Sequence, residues 1–416
     1  MSIDFLNVAK EIDEKKRAIV VFPIFLVGES KDLMIRGGDF YAIWIEEKQL
    51  WSTREQDVID LVDRELMDEA KKNEGSGYSV KVKLMRNSNS GSIDAWHKYC
   101  QKQCRDNFTP LDEQLIFSDT QTTREHFASK KLPYPLKEGS ISAWDALLSV
   151  LYSPDERHKI EWAIGAIISG DSKYIQKFMV FYGSAGTGKS TVMNIMEKLF
   201  AGYTATFDAR ALGSANSSFA LEPFKNNPLV AIQQDGDLSR IEDNTRLNSL
   251  VSHEKMTVNQ KFKSMYDTNF STFLFMGTNK PVKITDAKSG LIRRLIDVTP
   301  TGNLLPKKEY DKQFALIDFE LGAIAYHCLQ VYMEDPDYYD EYIPTSMMAS
   351  TNDFYNYIAE VYYTFEKQDG TTLKQAWELY KDYCEDAKVS FPYPRRIFQV
   401  FIQYRWNSFL EYNPII

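Results

Sequence analysis

Residues 183–190 read Gly183-Ser184-Ala185-Gly186-Thr187-Gly188-Lys189-Ser190, the pattern G-x-x-x-x-G-K-S. It constrains the fold because it works only between a buried strand and a helix. Both flanks are present. Residues 178–182 have the length and β-leaning make-up of a buried strand, and residues 191–200 place Val192, Ile195, Met196 and Leu199 on one helical face. In that context the glycines let backbone N–H groups wrap a triphosphate, and the helix N-terminus adds partial positive charge. Lys189 is expected to reach the β- and γ-phosphates and Ser190 to hold Mg²⁺. Gly183 to Ser190, with Thr191, are the candidate nucleotide-binding residues, and ATP with Mg²⁺ the expected ligand.

At 416 residues the chain is long enough for two or three domains. A net charge of −9 argues against a protein coated in nucleic acid but leaves room for a local basic strip. Residues 18–28 form the longest apolar stretch near the start. They are too short to cross a bilayer and lack a small-residue cleavage site, so a cytoplasmic protein without a membrane partner is expected. Four cysteines fit a reducing compartment. His97, Cys100 and Cys104 sit at helical spacing with no fourth ligand in view, and read as part-buried thiols on a helix rather than as a metal site.

The first half alternates between strand and helix signals. Residues 4–16 are polar with an uneven helical pattern. Residues 18–27 resemble a strand interrupted by Pro23, and 33–35, 39–45 and 49–51 a small meander. Residues 55–72 form an amphipathic helix with Val58, Leu61, Val62, Leu66 and Ala70 on its stripe. The acidic pair Asp60 and Asp63 on that helix reads as a solvated face. Residues 93–105 are expected to be helical and 108–136 extended or looped. Two helices, 141–151 and 154–169, lead into the strand at 178. The resulting division is an α+β domain over 1–92, a helical region over 93–165, a nucleotide-binding core over 166–302, a helical extension and linker over 303–345, and a small helical domain over 346–416.

Downstream of the glycine loop, the strand 229–232 runs into Gln233-Gln234-Asp235-Gly236-Asp237. Asp235 and Asp237 stand where acids position Mg²⁺ and polarise the attacking water, with Asp235 the candidate metal residue. A polar loop after a core strand is the plainer alternative. The strand 271–276 ends in Thr278-Asn279-Lys280-Pro281, where Asn279 is placed to orient the hydrolytic water. Arg293 and Arg294 precede a strand at 295–298 and suit a guanidinium that stabilises the γ-phosphate in the transition state. From 251 to 294 there are eight Lys or Arg against three Asp or Glu. That balance fits either a nucleic-acid-facing loop or a solvated charged one.

Taken in order, FMVFYGSAGTGKST, LVAIQQDGD, VNQKFK, FLFMGTNKP and GLIRRLIDV resemble the superfamily 3 helicases, of the kind found at the C-terminal end of phage, plasmid and large-DNA-virus primase-helicases. FYAIWIEEKQLWST and SAWDALLSVLYSPDERHKIEWAIGAIISGD resemble that family's N-terminal helical region. The resemblance implies an α/β fold with an AAA+-like P-loop ATPase core and a central parallel sheet. An α+β and helical region would precede the core, with 93–165 as an oligomerisation collar. A small, truncated winged-helix-like domain would follow it. It implies a ring, usually a hexamer, in which ATP binds between subunits and a neighbour supplies Arg293 or Arg294. Single-stranded or forked DNA would meet Lys261 and Lys263, and a separate primase or initiator would be a partner. Two departures stand out: the acids are not an adjacent pair, and no primase domain is attached. The implied function is a replicative DNA helicase. The alternatives are an AAA+ ATPase that remodels or loads other proteins at DNA, and a DNA-binding module that uses ATP only to assemble. In the last domain, Arg395, Arg396 and Arg405 are candidates for phosphate contacts.

Overall fold

The computed structural model describes residues 3–26, 28, 30–36, 40–102, 111–214, 217, 219–238, 243–259, 266–282, 290–345, 347, 353–366, 372–386, 389, 392–399 and 402. The chain divides into two compact units, Met1–Pro135 and Leu136–Ile416.

In the first unit, β1 (Leu6–Asp13) and β2 (Ala18–Phe25) pair antiparallel from Leu6 opposite Phe25 to Asp13 opposite Ala18. The helical pattern over 4–16 thus gives way to an edge strand. Its polarity reflects the side left facing solvent. β2 runs straight through Pro23. Its other neighbour, β6, stops pairing at Val21, so Pro23 meets no second ladder that would need its missing N–H. The expected meander forms from β3 (Leu33–Arg36), β4 (Phe40–Ile45) and β5 (Leu50–Ser52). β4 is buried on both faces. Ala42 and Trp44 pack with Trp51, while Ile43 and Ile45 join the main core. α1 (Glu55–Lys72) lays Val58, Val62, Leu66 and Ala70 on that core, β6 (Ser79–Val82) pairs parallel with β2, and α2 (Ser92–Lys102) adds Trp96, Tyr99 and Cys100.

One expectation on α1 fails. Asp63 is 1% exposed rather than solvated. Its carboxylate accepts from the backbone N–H groups of Met85 (2.5 Å) and Arg86 (3.3 Å) and from Arg86 Nε (2.6 Å). It pins the segment after β6, where charge pattern alone reads as surface. Residues 111–141 hold a single 3-10 turn, Arg124–His126, and otherwise no regular element. Cys104 lies outside the described residues.

The second unit is mixed α/β. α3 (Ser142–Leu151) and α4 (Pro154–Ser169) come first. Then follow β7 (Phe178–Tyr182), α5 (Lys189–Leu199), β8 (Thr204–Thr206), α6 (Ala209–Leu212), β9 (Val230–Gln233) and α7 (Thr245–Val251). The hairpin strands β10 (Met256–Val258) and β11 (Tyr266–Thr268), then β12 (Phe273–Thr278) and β13 (Leu295–Val298), complete the strands. α8 (Lys307–Glu334), α9 (Asp353–Glu366) and α10 (Leu373–Asp386) follow.

Five strands form one parallel sheet in the order β13-β7-β12-β9-β8. β12 is buried at every residue, as a central parallel strand covered on both faces must be.

α4 is buried around nearly its whole circumference, from Lys159 to Ile168. It packs along α8, and Gly165 is what lets the two approach. A Cβ there would sit 2.1 Å from the carbonyl oxygen of Cys328. Glu320 of α8 caps α3, accepting from the backbone N–H groups of Ala143 (3.0 Å) and Trp144 (3.2 Å). α8 is the one described helix long and apolar enough to cross a membrane by length and composition. Its Ile317, Leu321, Ile324, Ala325 and Cys328 are buried inside this unit. Farther on, Phe354, Tyr357, Ile358 and Val361 of α9 make a separate core with Ala376, Tyr380, Phe398 and Ile402, so these aromatics are packing residues.

Candidate functional site

In open parallel sheets, groups gather at the carboxyl ends of the strands, at the point where strand order reverses. β7 is that point. The chain leaves it for the far edge at β8, returns through β9 and β12, and places β13 on the other side. β7, β12 and β9 end side by side, with Thr278 opposite Tyr182 and Met276 opposite Gln233. Three segments therefore border one crevice: 183–188 after β7, 234–237 after β9, and Asn279 after β12.

The 183–188 loop needs its glycines. Gly186 and Gly188 have φ of 78° and 95°. At Gly188 a Cβ would also sit 2.8 Å from Leu151 Cδ2. The Gly183 N–H donates to Thr278 O at 3.2 Å, and Thr187 Oγ1 to Ser184 O at 2.9 Å. Ser184, Ala185, Gly186 and Ser190 are exposed. Thr191 behaves differently. It is buried, and its hydroxyl lies 3.2 Å from Tyr310 OH on α8.

Lys189 is buried at the first position of α5. Its ammonium donates to Gly183 O (2.6 Å), Ser184 O (2.7 Å) and Asn279 Oδ1 (2.7 Å), which uses all three donors. Desolvation lowers its affinity for the proton, against the opposing charge of Asp235. Every partner is a neutral carbonyl oxygen, so a phosphate anion would bind it more strongly. Lys189 and Asn279, both read from sequence as site residues, are thus in direct contact.

The two acids part company. Asp235 is exposed and makes no hydrogen bond or ion pair among the described residues. Asp237 Oδ2 is held by Arg210 Nη2 (2.8 Å) and Lys280 Nζ (2.9 Å). Gln234 donates its side-chain amide to Asn194 Oδ1 of α5 at 2.6 Å. Ser190 and Asp235 offer exposed hard oxygens on segments bordering the crevice, a donor set that suits Mg²⁺ shared with a phosphate ligand. Sequence reasoning missed Gly277. A Cβ on it would sit 2.5 Å from Gln234 O, so only glycine lets the exit of β9 lie against β12.

The arginines lie elsewhere. They form the 3-10 turn Ile292–Arg294 just before β13, whose first residue, Leu295, pairs with Phe178 at the start of β7. They therefore sit at the amino ends of the parallel strands, about 16 Å from the loop at the ~3.3 Å rise per strand residue. Arg294 is 5% exposed. Its guanidinium donates to Ser252 Oγ through Nε (2.9 Å) and Nη2 (2.5 Å), and to Gly290 O through Nη1 (2.8 Å). Arg293 is exposed, and its side chain has no hydrogen-bond or ion-pair partner among the described residues. β10 and β11 pair antiparallel on either side of 260–265. Lys261 and Lys263 fall outside the described residues, as does Arg405.

A family of unknown function, DUF5906, matches residues 181–294. The match runs from the last two residues of β7 to Arg294 and so takes in every described candidate for nucleotide binding and catalysis, but not Arg395 and Arg396. No curated protein matches the chain. Among solved structures, the apo structure of the NrS-1 C terminal region is similar over 71% of this chain and 66% of that one, with a TM-score of 0.44 and 13% identity. An A form apo structure of the same region matches over 72% and 66%, again with a TM-score of 0.44 and 13% identity. This chain spans just under two thirds of the length of those relatives.

Proposed function

We propose that this chain is an ATP hydrolase with an AAA+-like core, working as a ring-forming replicative DNA helicase. The observation that carries the reading is the placement of Lys189 and Arg293 at opposite ends of the same strands. Lys189 and Asn279 meet in the crevice, whereas Arg293 is too far away to reach the crevice of its own subunit. An exposed arginine so placed suits the site of a neighbour, and a closed ring, here taken as a hexamer, supplies one at every crevice.

In this reading 166–302 is the ATPase core, 93–165 the collar, and 346–416 a small helical, winged-helix-like domain. ATP lies along the 183–191 segment with its phosphates on the loop N–H groups and Lys189. Ser190 and Asp235 would hold Mg²⁺, which when bound would neutralise negative charge on the triphosphate. Water attacks the γ-phosphate in line as the bond from that phosphorus to the bridging oxygen breaks, releasing ADP and phosphate. Asn279 orients that water, Asp235 draws its proton, and the neighbour's Arg293 offsets the charge on the transferring group. Asp237, already neutralised by two cations, shapes the crevice. Single-stranded DNA passes beside the paired strands 256–258 and 266–268, with Lys261 and Lys263 on its phosphates. The site of action is cytoplasmic, with a separate primase or initiator as partner.

A second reading, an ATPase that remodels or loads replication proteins without unwinding, draws on the acidic site. Gln234 stands beside Asp235 and spends its amide on Asn194. A single acid suits slower turnover. ATP hydrolysis per subunit, followed across protein concentration with and without single-stranded DNA, tests the proposal. A rate that climbs with concentration and with DNA is expected. A rate indifferent to both would contradict it. Unwinding of a forked duplex separates the two readings.

A further inference from the structure

A buried ammonium ordinarily sits against a carboxylate. Among the described residues, three lysines of the second unit are buried. Lys159 follows the rule, with Glu156 Oε1 at 2.8 Å, and Lys189 belongs to the crevice. Lys177, 6% exposed, does neither. It makes no ion pair among the described residues. Its ammonium donates to two main-chain carbonyls, Arg293 O at 2.6 Å and Tyr342 O at 3.4 Å.

The position gives this bond a meaning. Lys177 immediately precedes β7, and Arg293 lies just before the neighbouring strand β13. The bond therefore fixes the main chain of Arg293 while its guanidinium stays exposed. The second acceptor belongs to the acidic, tyrosine-rich segment after α8, which is itself clasped down. Tyr342 OH donates to Asp297 Oδ1 and accepts from Lys159 Nζ at 2.9 Å. His158 Nδ1 lies 2.8 Å from Tyr339 OH, and Trp162 Nε1 donates to Pro336 O at 3.2 Å. Burial draws the Lys177 amine down to about 8, against the charges of Asp340 and Glu341 and in the same sense as Arg293. Holding a charge there costs stability, and an apolar side chain of similar volume would fill the space without that cost.

We infer that Lys177 is the positioning residue for Arg293: it fixes the turn from which the exposed guanidinium reaches the triphosphate on a neighbouring subunit, and locks that turn to the segment at Tyr342. The inference rests on the role proposed above for Arg293.

The test uses the full chain, assembled, with ATP. Lys177→Met is expected to lower kcat by about tenfold to a hundredfold, the scale of a small misplacement of a catalytic group. The KM for ATP stays within about twofold of wild type. Mixing Lys177→Met with Lys189→Ala restores turnover, because the first subunit brings an intact crevice and the second an intact arginine turn. In wild type, kcat is expected to fall as pH rises through about 8, where the amine loses its charge and holds the carbonyl more weakly. That limb is absent in Lys177→Arg, which stays charged.

A mixture no more active than its parts, or a Lys177→Arg profile identical to wild type, overturns the inference. The pH profiles decide it even if Lys177→Met does not assemble. Arg293→Ala separates the two levels. If it turns over like wild type, the role of Arg293 falls and the inference with it. If Lys189→Ala complements Arg293→Ala but not Lys177→Met, only the inference falls.

Discussion

The crevice at the carboxyl ends of β7, β9 and β12 and the turn at the amino end of β13 are built from similar groups in opposite states. In the crevice, Lys189 rests on neutral carbonyl oxygens and Asp235 has no bonded partner among the described residues. At the turn, Arg294 is buried and makes three hydrogen bonds, and Lys177 anchors the main chain. The first arrangement is ready to exchange its bonds for those of an anion. The second holds a shape, and among the described residues of the turn the Arg293 guanidinium is the group without a hydrogen-bond or ion-pair partner. Lys189 and Lys177 both rest on neutral carbonyl oxygens, so position rather than partner separates them: Lys189 lies beside the exposed loop at the carboxyl ends of the strands, Lys177 before β7 at the amino ends.

The contrast breaks first at the arginines. Arg293→Ala is expected to lower ATP turnover about 10³-fold while nucleotide binding and melting temperature hold. Arg294→Ala removes a buried, triply bonded cation and should cost about 2–3 kcal/mol of stability, seen as a lower melting temperature. An Arg294→Ala protein with normal melting and lost turnover would reverse the assignment. The acids sharpen it next. Asp235→Asn is expected to lower turnover about 10²-fold or more, and Asp237→Asn by less than about tenfold, in steady-state assays at saturating ATP.

Gly277→Ala tests the walls of the crevice. A Cβ 2.5 Å from Gln234 O must push the exit of β9 away, at a cost of about 1–3 kcal/mol in denaturant unfolding. The smallest effect is on pH dependence. Burial holds the Lys177 amine at about 8 in the folded chain against an ordinary 10.5. The unfolded chain therefore binds the proton more tightly between those values, and this group's contribution to stability rises with pH across that window. The Lys177→Met protein should lack that rise.

Much of the crevice was legible in the sequence. Gly183 to Ser190 announce their strand and helix through local spacing, and Asn279 stands at the tip of an apolar run that could only be a central strand. What was not legible depends on which atoms meet across the fold. Nothing local separates Arg293 from Arg294, because burial of the second is decided by Ser252, some forty positions away. Asp63 looks like any surface acid until the segment after β6 brings two backbone N–H groups to it. β1 hides its period of two because beyond Leu6 none of its residues is fully buried, the apolar Ile12 included. Lys177 carries no motif, since its partners are main-chain carbonyls that any residue could provide.

In the proposed ring, the crevice of one subunit is completed by the arginine turn of another. The most direct measurement mixes Lys189→Ala and Arg293→Ala chains, each inactive alone, and follows ATP turnover across the mixing ratio. Turnover is expected to appear on mixing and to peak at intermediate ratios, where an intact crevice meets an intact Arg293. Turnover that stays at the level of the separate variants at every ratio, in rings shown to be mixed, would contradict it.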